Sequence, residues 1–187
     1  MNYATIKKND IANGPGVRVS LFVSGCRHRC PGCFNREAWD FDYGAPFTAD
    51  VENDIIKAAM PSYITGLTLL GGEPFEPENQ APLLSFVRRF RRADPTKTVW
   101  CYTGFLFEDI ASGKVGDADT AMALLSEIDT LVDGRFVEKL KDLSLMFRGS
   151  SNQRILDVRL SLEKGEAVIM EGTWERRMGS GNIEDSI

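Results

Sequence analysis

No stretch of this chain is long and apolar enough to span a bilayer. Its first ten residues, Met1 to Asp10, lack the apolar run of a secretory signal. Basic charge is not in excess. Against 27 Asp and Glu stand 22 Lys and Arg, a net charge of −5, so neither nucleic acid nor a membrane surface is expected as a partner. There are no internal repeats and no low-complexity domain. Cysteine is scarce, with four residues, and histidine scarcer, with His28 alone. Four cysteines, three of them in one loop, fit a reducing, cytoplasmic setting better than a secreted disulfide framework. What remains is an ordinary globular composition, 43% hydrophobic and 26% charged over 187 residues. That length suits one domain with a sizeable core, expected over residues 1–172. The tail from Thr173 to Ile187 is rich in Arg, Gly, Ser and acids, and is expected to be disordered.

Three of the four cysteines crowd into one loop, Cys26-Arg27-His28-Arg29-Cys30-Pro31-Gly32-Cys33, with spacing C-x3-C-x2-C. Clustered soft thiolates at that spacing point to a metal site. Three readings compete. A structural zinc site needs a fourth protein ligand, and His28, wedged between Arg27 and Arg29, could reach the metal only through a cramped ring. A disulfide with one thiol left over lacks an oxidising setting. An iron–sulfur cube held by three thiolates would leave one iron open to a further ligand. The fourth cysteine, Cys101, lies in an apolar run and reads as a small buried hydrophobe.

The loop follows a run rich in β-branched residues, Val17 to Val23, itself preceded by the turn signals Asn13-Gly14-Pro15-Gly16. A strand there would deliver the cysteines to its C-terminal end, the edge where βα folds gather their sites. Gly66 to Leu70 reads as a second, fully covered strand. It runs into Gly71-Gly72-Glu73-Pro74, where glycines permit close approach of a ligand, carbonyls can accept from an ammonium group, and Glu73 adds a carboxylate. A simple turn ended by proline is the bland alternative. Thr98 to Tyr102 and Thr130 to Val132 supply two more strands, ending at Thr103-Gly104 and at Asp133-Gly134-Arg135.

Helical spacing marks Ala49 to Met60 after Thr48, Pro82 to Arg92, and Asp119 to Ile128. Strand and helix alternate, which predicts parallel βαβ units in an α/β fold. A complete (β/α)8 barrel takes about 250 residues, so the expected form is a partial barrel, open along one side. Arg88, Arg89, Arg91 and Arg92 form either a solvated face or a docking patch for an acidic partner. Phe34 to Phe47, with Trp39, Phe41 and Tyr43, is expected to loop beneath the cysteines. The alternation Leu156, Val158, Leu160, Leu162, a turn at Glu163 to Glu166 and a return through Ala167 to Met170 predict a terminal β-hairpin over about 155–171.

The cysteine spacing followed by an aromatic residue, Phe34, resembles the signature of radical S-adenosylmethionine enzymes. Tyr102-Thr103-Gly104, Leu131-Val132-Asp133-Gly134 and Arg148-Gly149-Ser150-Ser151-Asn152-Gln153 narrow the resemblance to the activating proteins of anaerobic ribonucleoside-triphosphate reductase, over about Met1 to Arg154. That resemblance implies a [4Fe–4S] cluster on Cys26, Cys30 and Cys33, with S-adenosylmethionine on the open iron. It implies that Gly71, Gly72 and Glu73 hold the methionyl amino group, and that the backbone from Gly32 through Cys33 to Phe34 lies against the ligand. Thr103, Asp133 and Arg135 are strand-end candidates for the adenine and ribose. An electron from an external donor would split the sulfonium, and the 5′-deoxyadenosyl radical would take hydrogen from a glycine of the reductase large subunit. Rival readings are an activase of another glycyl radical enzyme, a small radical enzyme of purine modification, and a non-catalytic iron–sulfur carrier or zinc module.

Overall fold

Residues 1–172 are described in a computed structural model. Four apolar runs, each bounded by turn residues, make its centre: β2 (Val17–Val23), β4 (Ile64–Gly71), β5 (Thr98–Tyr102) and β6 (Thr130–Asp133). They lie side by side and parallel, Leu21 beside Leu69 and Leu69 beside Cys101. Their C-terminal ends therefore share one edge of the sheet.

Not every strand is parallel. The N-terminal residues, too polar to stand out in the sequence, form β1 (Asn2–Asp10), which runs antiparallel to β2. Beyond it lies the two-residue β3 (Ala45–Pro46). On the far side β7 (Arg154–Asp157) runs antiparallel to β6. The seven-stranded sheet has the order β3-β1-β2-β4-β5-β6-β7 and does not close on itself. The expected parallel strands form the centre, and antiparallel β1 and β7 extend them into a mixed, open sheet. β1 escapes an apolar search because most of its residues are partly or fully exposed near the sheet edge.

The two sheet faces differ, because successive strand residues point opposite ways. Leu67, Leu69, Val99, Cys101 and Leu131 enter the main core with α1 (Ala49–Ala59), α2 (Pro77–Ala93) and α4 (Ala118–Ser126). Trp100 and Val132 belong to a smaller cluster on the other face, which Tyr102 and Phe147 flank. Arg18 also serves that second face. Its side chain donates to Thr68 Oγ1 at 2.8 Å, Leu67 O at 2.8 Å and Thr98 O at 3.0 Å, and it has no carboxylate partner among the described residues. Burial brings its pKa down to about 10.

Local signals explain most helix ends. Thr48 Oγ1 accepts from the Val51 N–H and Asp117 accepts from the Thr120 N–H, each capping the helix that follows. α2 begins at Pro77 rather than near Pro82, which sits inside it. The first turn of a helix has no need of a proline N–H, so Pro77 is a natural start. A short helix not expected from the sequence, α3 (Phe107–Ala111), buries Phe107 and Ile110.

The C-terminal hairpin is not formed. After β7 the chain turns into α5 (Val158–Lys164), and only then does the return stretch meet β7 through the Leu156–Ile169 bridge. Asp157 accepts from the Leu160 N–H as the cap, and Gly165 ends the helix in the left-handed conformation with φ +70°. Those two residues outweigh the alternation of Val158, Leu160 and Leu162. The expected tail lies outside the described residues.

The arginine-rich face of α2 is mostly spent within the chain. Arg88 pairs with Glu127, Arg89 with Glu52, and Arg91 with Asp129, tying α2 to α1 and to the approach to β6. No helix among the described residues is long and apolar enough to cross a membrane.

Candidate metal centre

The turns that leave β2, β4 and β5, together with the segment beyond β6, surround one cavity of about 520 Å3. Cys26, Cys30 and Cys33 line it, with Gly32, Phe34, Gly71, Gly72, Glu73 and Thr103. The geometry therefore brings most of the candidate residues to one place. Asp133 and Arg135 are not among the lining residues. The Asp133 side chain is fully buried and accepts from the Phe107 N–H at 2.9 Å and from Arg154 Nε at 2.9 Å. Arg135 is exposed beside Cys30, where its charge is felt by the thiol.

The cysteine loop is pinned at its start. The Gly25 N–H donates to Ala38 O at 2.8 Å and the Cys26 N–H to Trp39 O at 3.1 Å. The Gly71-Gly72-Glu73 turn is stitched onto it, Gly72 N–H to Val23 O at 2.7 Å and Glu73 N–H to Gly25 O at 2.8 Å. A Cβ on Gly72 would lie 2.5 Å from the Gly25 carbonyl oxygen, so the two turns approach as closely as only glycine allows. Glu76 adds a further tie, accepting from the Arg27 N–H at 2.6 Å.

Glu73 is the hub of the site. Its Oε1 accepts from the Phe75 N–H at 2.9 Å and the Thr103 hydroxyl at 2.8 Å. Its Oε2 accepts from the Gly104 N–H at 2.7 Å and from His28 Nε2 at 3.1 Å. One carboxylate thus joins the cysteine loop, the end of β4 and the end of β5. Its acceptor capacity is spent on the protein itself. His28, considered from sequence only as a zinc ligand, packs edge-on against Phe105 with ring centroids 4.4 Å apart.

The sulfurs sit among backbone donors. Burial pushes the Cys26 thiol up to about 12 and the Glu73 charge adds to this, while N–H groups of His28 and Arg29 work the other way. Burial also raises Cys30, which accepts from the Phe136 N–H. Arg29 and Gly32 take φ of 47° and 73°, so the loop coils back on itself. Burial thus favours the protonated form of the Cys26 thiol.

Among the described residues no group of three or more His, Cys, Asp or Glu side chains is placed to hold a single metal ion. A cube presents separate irons to separate thiolates, so ligands spread around a cavity fit it better than they fit one zinc.

The chain matches, over residues 12–156, the family described as a 4Fe-4S single cluster domain. It is 42% identical over 161 residues to the anaerobic ribonucleoside-triphosphate reductase-activating protein of Escherichia coli K12, covering 85% of this chain and all of that one. The chain belongs to this family. The like-named protein of Pasteurella multocida is 42% identical over 158 residues, covering 83% of this chain and 96% of the relative. That of enterobacteria phage T4 is 39% identical over 155 residues, covering 83% and 93%. The matched region, residues 12–156, includes every residue that lines the cavity.

Sequence reasoning missed His28 as a brace, and Tyr102, Phe147 and Arg148 as cavity walls. The only signal for His28 was its singularity. For Arg148 it was a place in a polar motif with no assigned role.

Proposed function

We propose that this protein is a radical S-adenosylmethionine activase that installs a glycyl radical on an anaerobic ribonucleoside-triphosphate reductase. The observation that carries the reading is the convergence of Cys26, Cys30 and Cys33 with the Gly71-Gly72-Glu73 turn on one cavity. Cys26, Cys30 and Cys33 would hold a [4Fe–4S] cluster. Once bound and reduced by an external donor, it would supply the single electron that cleaves the sulfonium to methionine and a 5′-deoxyadenosyl radical, the species that would take a hydrogen atom from a glycine Cα of the protein substrate.

The chain's own residues orient and seal. The carbonyls of the Gly71-Gly72 turn take the ammonium group. Glu73, with four protein donors already on its carboxylate, acts by fixing that turn against the cysteine loop. Thr103 and Gly104 border the remaining space for the nucleoside. Trp39 on one side and Phe147 on the other keep water from the reacting atoms. Backbone N–H groups of His28, Arg29 and Phe136 stabilise charge on the sulfurs and so tune the potential.

The test is anaerobic reconstitution with iron and sulfide, reduction, and addition of S-adenosylmethionine. 5′-Deoxyadenosine should form with the wild type and not with Cys30→Ala. Adding the reductase should then yield a glycyl radical by electron spin resonance. A bound zinc in place of iron, or no 5′-deoxyadenosine, rejects the reading.

A further inference from the structure

The Arg148–Gln153 stretch has no part in the chemistry above, yet it is tightly built. Gln153 Oε1 accepts from the N–H groups of Gly149 at 2.8 Å and Ser150 at 3.1 Å, and Gln153 Nε2 donates to Gly134 O at 3.0 Å. Asn152 Nδ2 donates to Arg135 O at 2.9 Å, and Ser150 Oγ accepts from the Val137 N–H at 3.2 Å. The motif is a clasp. It fastens both ends of the segment from residue 135 to residue 147 at the C-terminal end of β6, where that segment walls the cavity.

That segment is dressed for contact. Leu143 is 90% exposed and Phe34, in the cysteine loop, is 86% exposed, and both line the cavity. Val137, Leu140 and Met146 are exposed on the same segment. Large apolar side chains gathered at a cavity mouth mark an interaction site. Behind them stands Arg148. It lines the cavity, Nη1 donates to Gln153 O at 3.2 Å, and Nε is buried with no acceptor. The guanidinium has no ion pair among the described residues. A buried donor left unmet is destabilising, and a ligand acceptor would relieve it. Phe147 beside it holds φ of 57°, a conformation that a bulky side chain adopts only when its surroundings impose it, here with Trp100 edge-on at 5.7 Å.

We propose that the 135–153 segment is the receiving surface for an extended polypeptide of the protein substrate. Phe34 and Leu143 grip its apolar side chains at the mouth, and Arg148 donates to a main-chain carbonyl inside. This rests on the activase reading, and deepens it. S-adenosylmethionine is a poorer occupant of this wall, since its sulfonium and ammonium outweigh its single carboxylate and leave it with a net positive charge. The segment already carries Arg135, Lys139, Lys141 and Arg148 against Glu138 and Asp142. A neutral or acidic peptide suits it.

Two variants test the assignment in the reconstituted protein, Leu143→Glu, on an exposed side chain that the fold does not need, and Arg148→Gln. Affinity for the anaerobic ribonucleoside-triphosphate reductase is measured by titration, with and without the cluster. Affinity for S-adenosylmethionine and release of 5′-deoxyadenosine without reductase are measured alongside. Each variant should weaken reductase binding about tenfold or more, the scale of a lost interface anchor, while both nucleotide measurements stay within about twofold of the wild type. Unchanged reductase affinity in both variants overturns the proposal. So does a parallel fall in nucleotide affinity for Arg148→Gln, which would give Arg148 to the nucleotide. A wild type that binds reductase but releases no 5′-deoxyadenosine would sink the radical chemistry and leave the docking surface standing.

Discussion

His28 Nε2 lies 3.1 Å from Glu73 Oε2, with both side chains almost wholly out of water. A residue of the cysteine loop thus reaches across to the carboxylate that organises the ends of β4 and β5. The consequence is a test by the smallest possible change. In Glu73→Gln one acceptor oxygen becomes an NH2 group. Whichever way the amide turns, that group faces a backbone N–H, of Phe75 on one side or Gly104 on the other. The expected loss is about 1–3 kcal/mol of folding stability, read by urea unfolding, together with less iron retained per chain. Unaltered stability and iron would mean the carboxylate is not the hub.

Close packing of the two turns makes a second prediction. In Gly72→Ala the new methyl meets the carbonyl oxygens of Gly25 at 2.5 Å and Ala38 at 2.9 Å, and backbone atoms have little freedom to yield. A destabilisation of about 1–3 kcal/mol is expected from such overpacking, with the cysteine loop displaced. Gly104→Ala meets the His28 ring at 2.4 Å instead, and a side chain can shift. The thermal midpoint should therefore fall further for Gly72→Ala than for Gly104→Ala.

Cys101 separates ligands from core. It is fully buried in the main hydrophobic cluster, and burial holds its thiol far above the ordinary value. Cys101→Ala should keep the full iron and sulfide content of the reconstituted protein and cost about 1 kcal/mol of stability. Cys26→Ala, Cys30→Ala and Cys33→Ala should each lose most of the cluster absorbance. Loss of iron in Cys101→Ala would contradict this division.

Asp10 gives a pH signature. Burial raises its pKa, but its polar surroundings, with hydrogen bonds from the Asn13 side chain and the Ala12 N–H, outweigh it, and the net shift is downward. A carboxyl group depressed in the folded state stabilises the fold above its unfolded pKa of about 4, and that stability is lost as the pH falls through the lower folded value. Between neutral pH and pH of about 3, Asp10→Asn should therefore show a shallower loss of stability than the wild type in urea titrations. Parallel curves would remove Asp10 from the account.

Much of the fold could be read from short stretches. β2, β4, β5 and β6 announce themselves because a central strand is apolar along its length and stops at glycine or proline. α1 shows its cap and its period. β1 does not, because an edge strand half in water has no such run. The helix α5 was hidden because Val158, Leu160 and Leu162 alternate with a period of two, its fully buried positions are Val158 and the polar Ser161, and the deciding residues, Asp157 and Gly165, act at its ends.

The site divides along the same line. Chain order placed Cys26, Cys30 and Cys33 in one loop and put Gly72 at the end of a neighbouring strand, since parallel strands share their C-terminal edge. It said nothing of where side chains turn once there. Asp133 stands at a strand end like Thr103, yet Arg154 draws it into a buried ion pair, while Thr103 faces Glu73. Ligand identity is a matter of residue type and spacing, which the chain carries in plain order. Which carboxylate braces the turns depends on neighbours 30 or more residues away, and such neighbours exist only once the sheet is assembled.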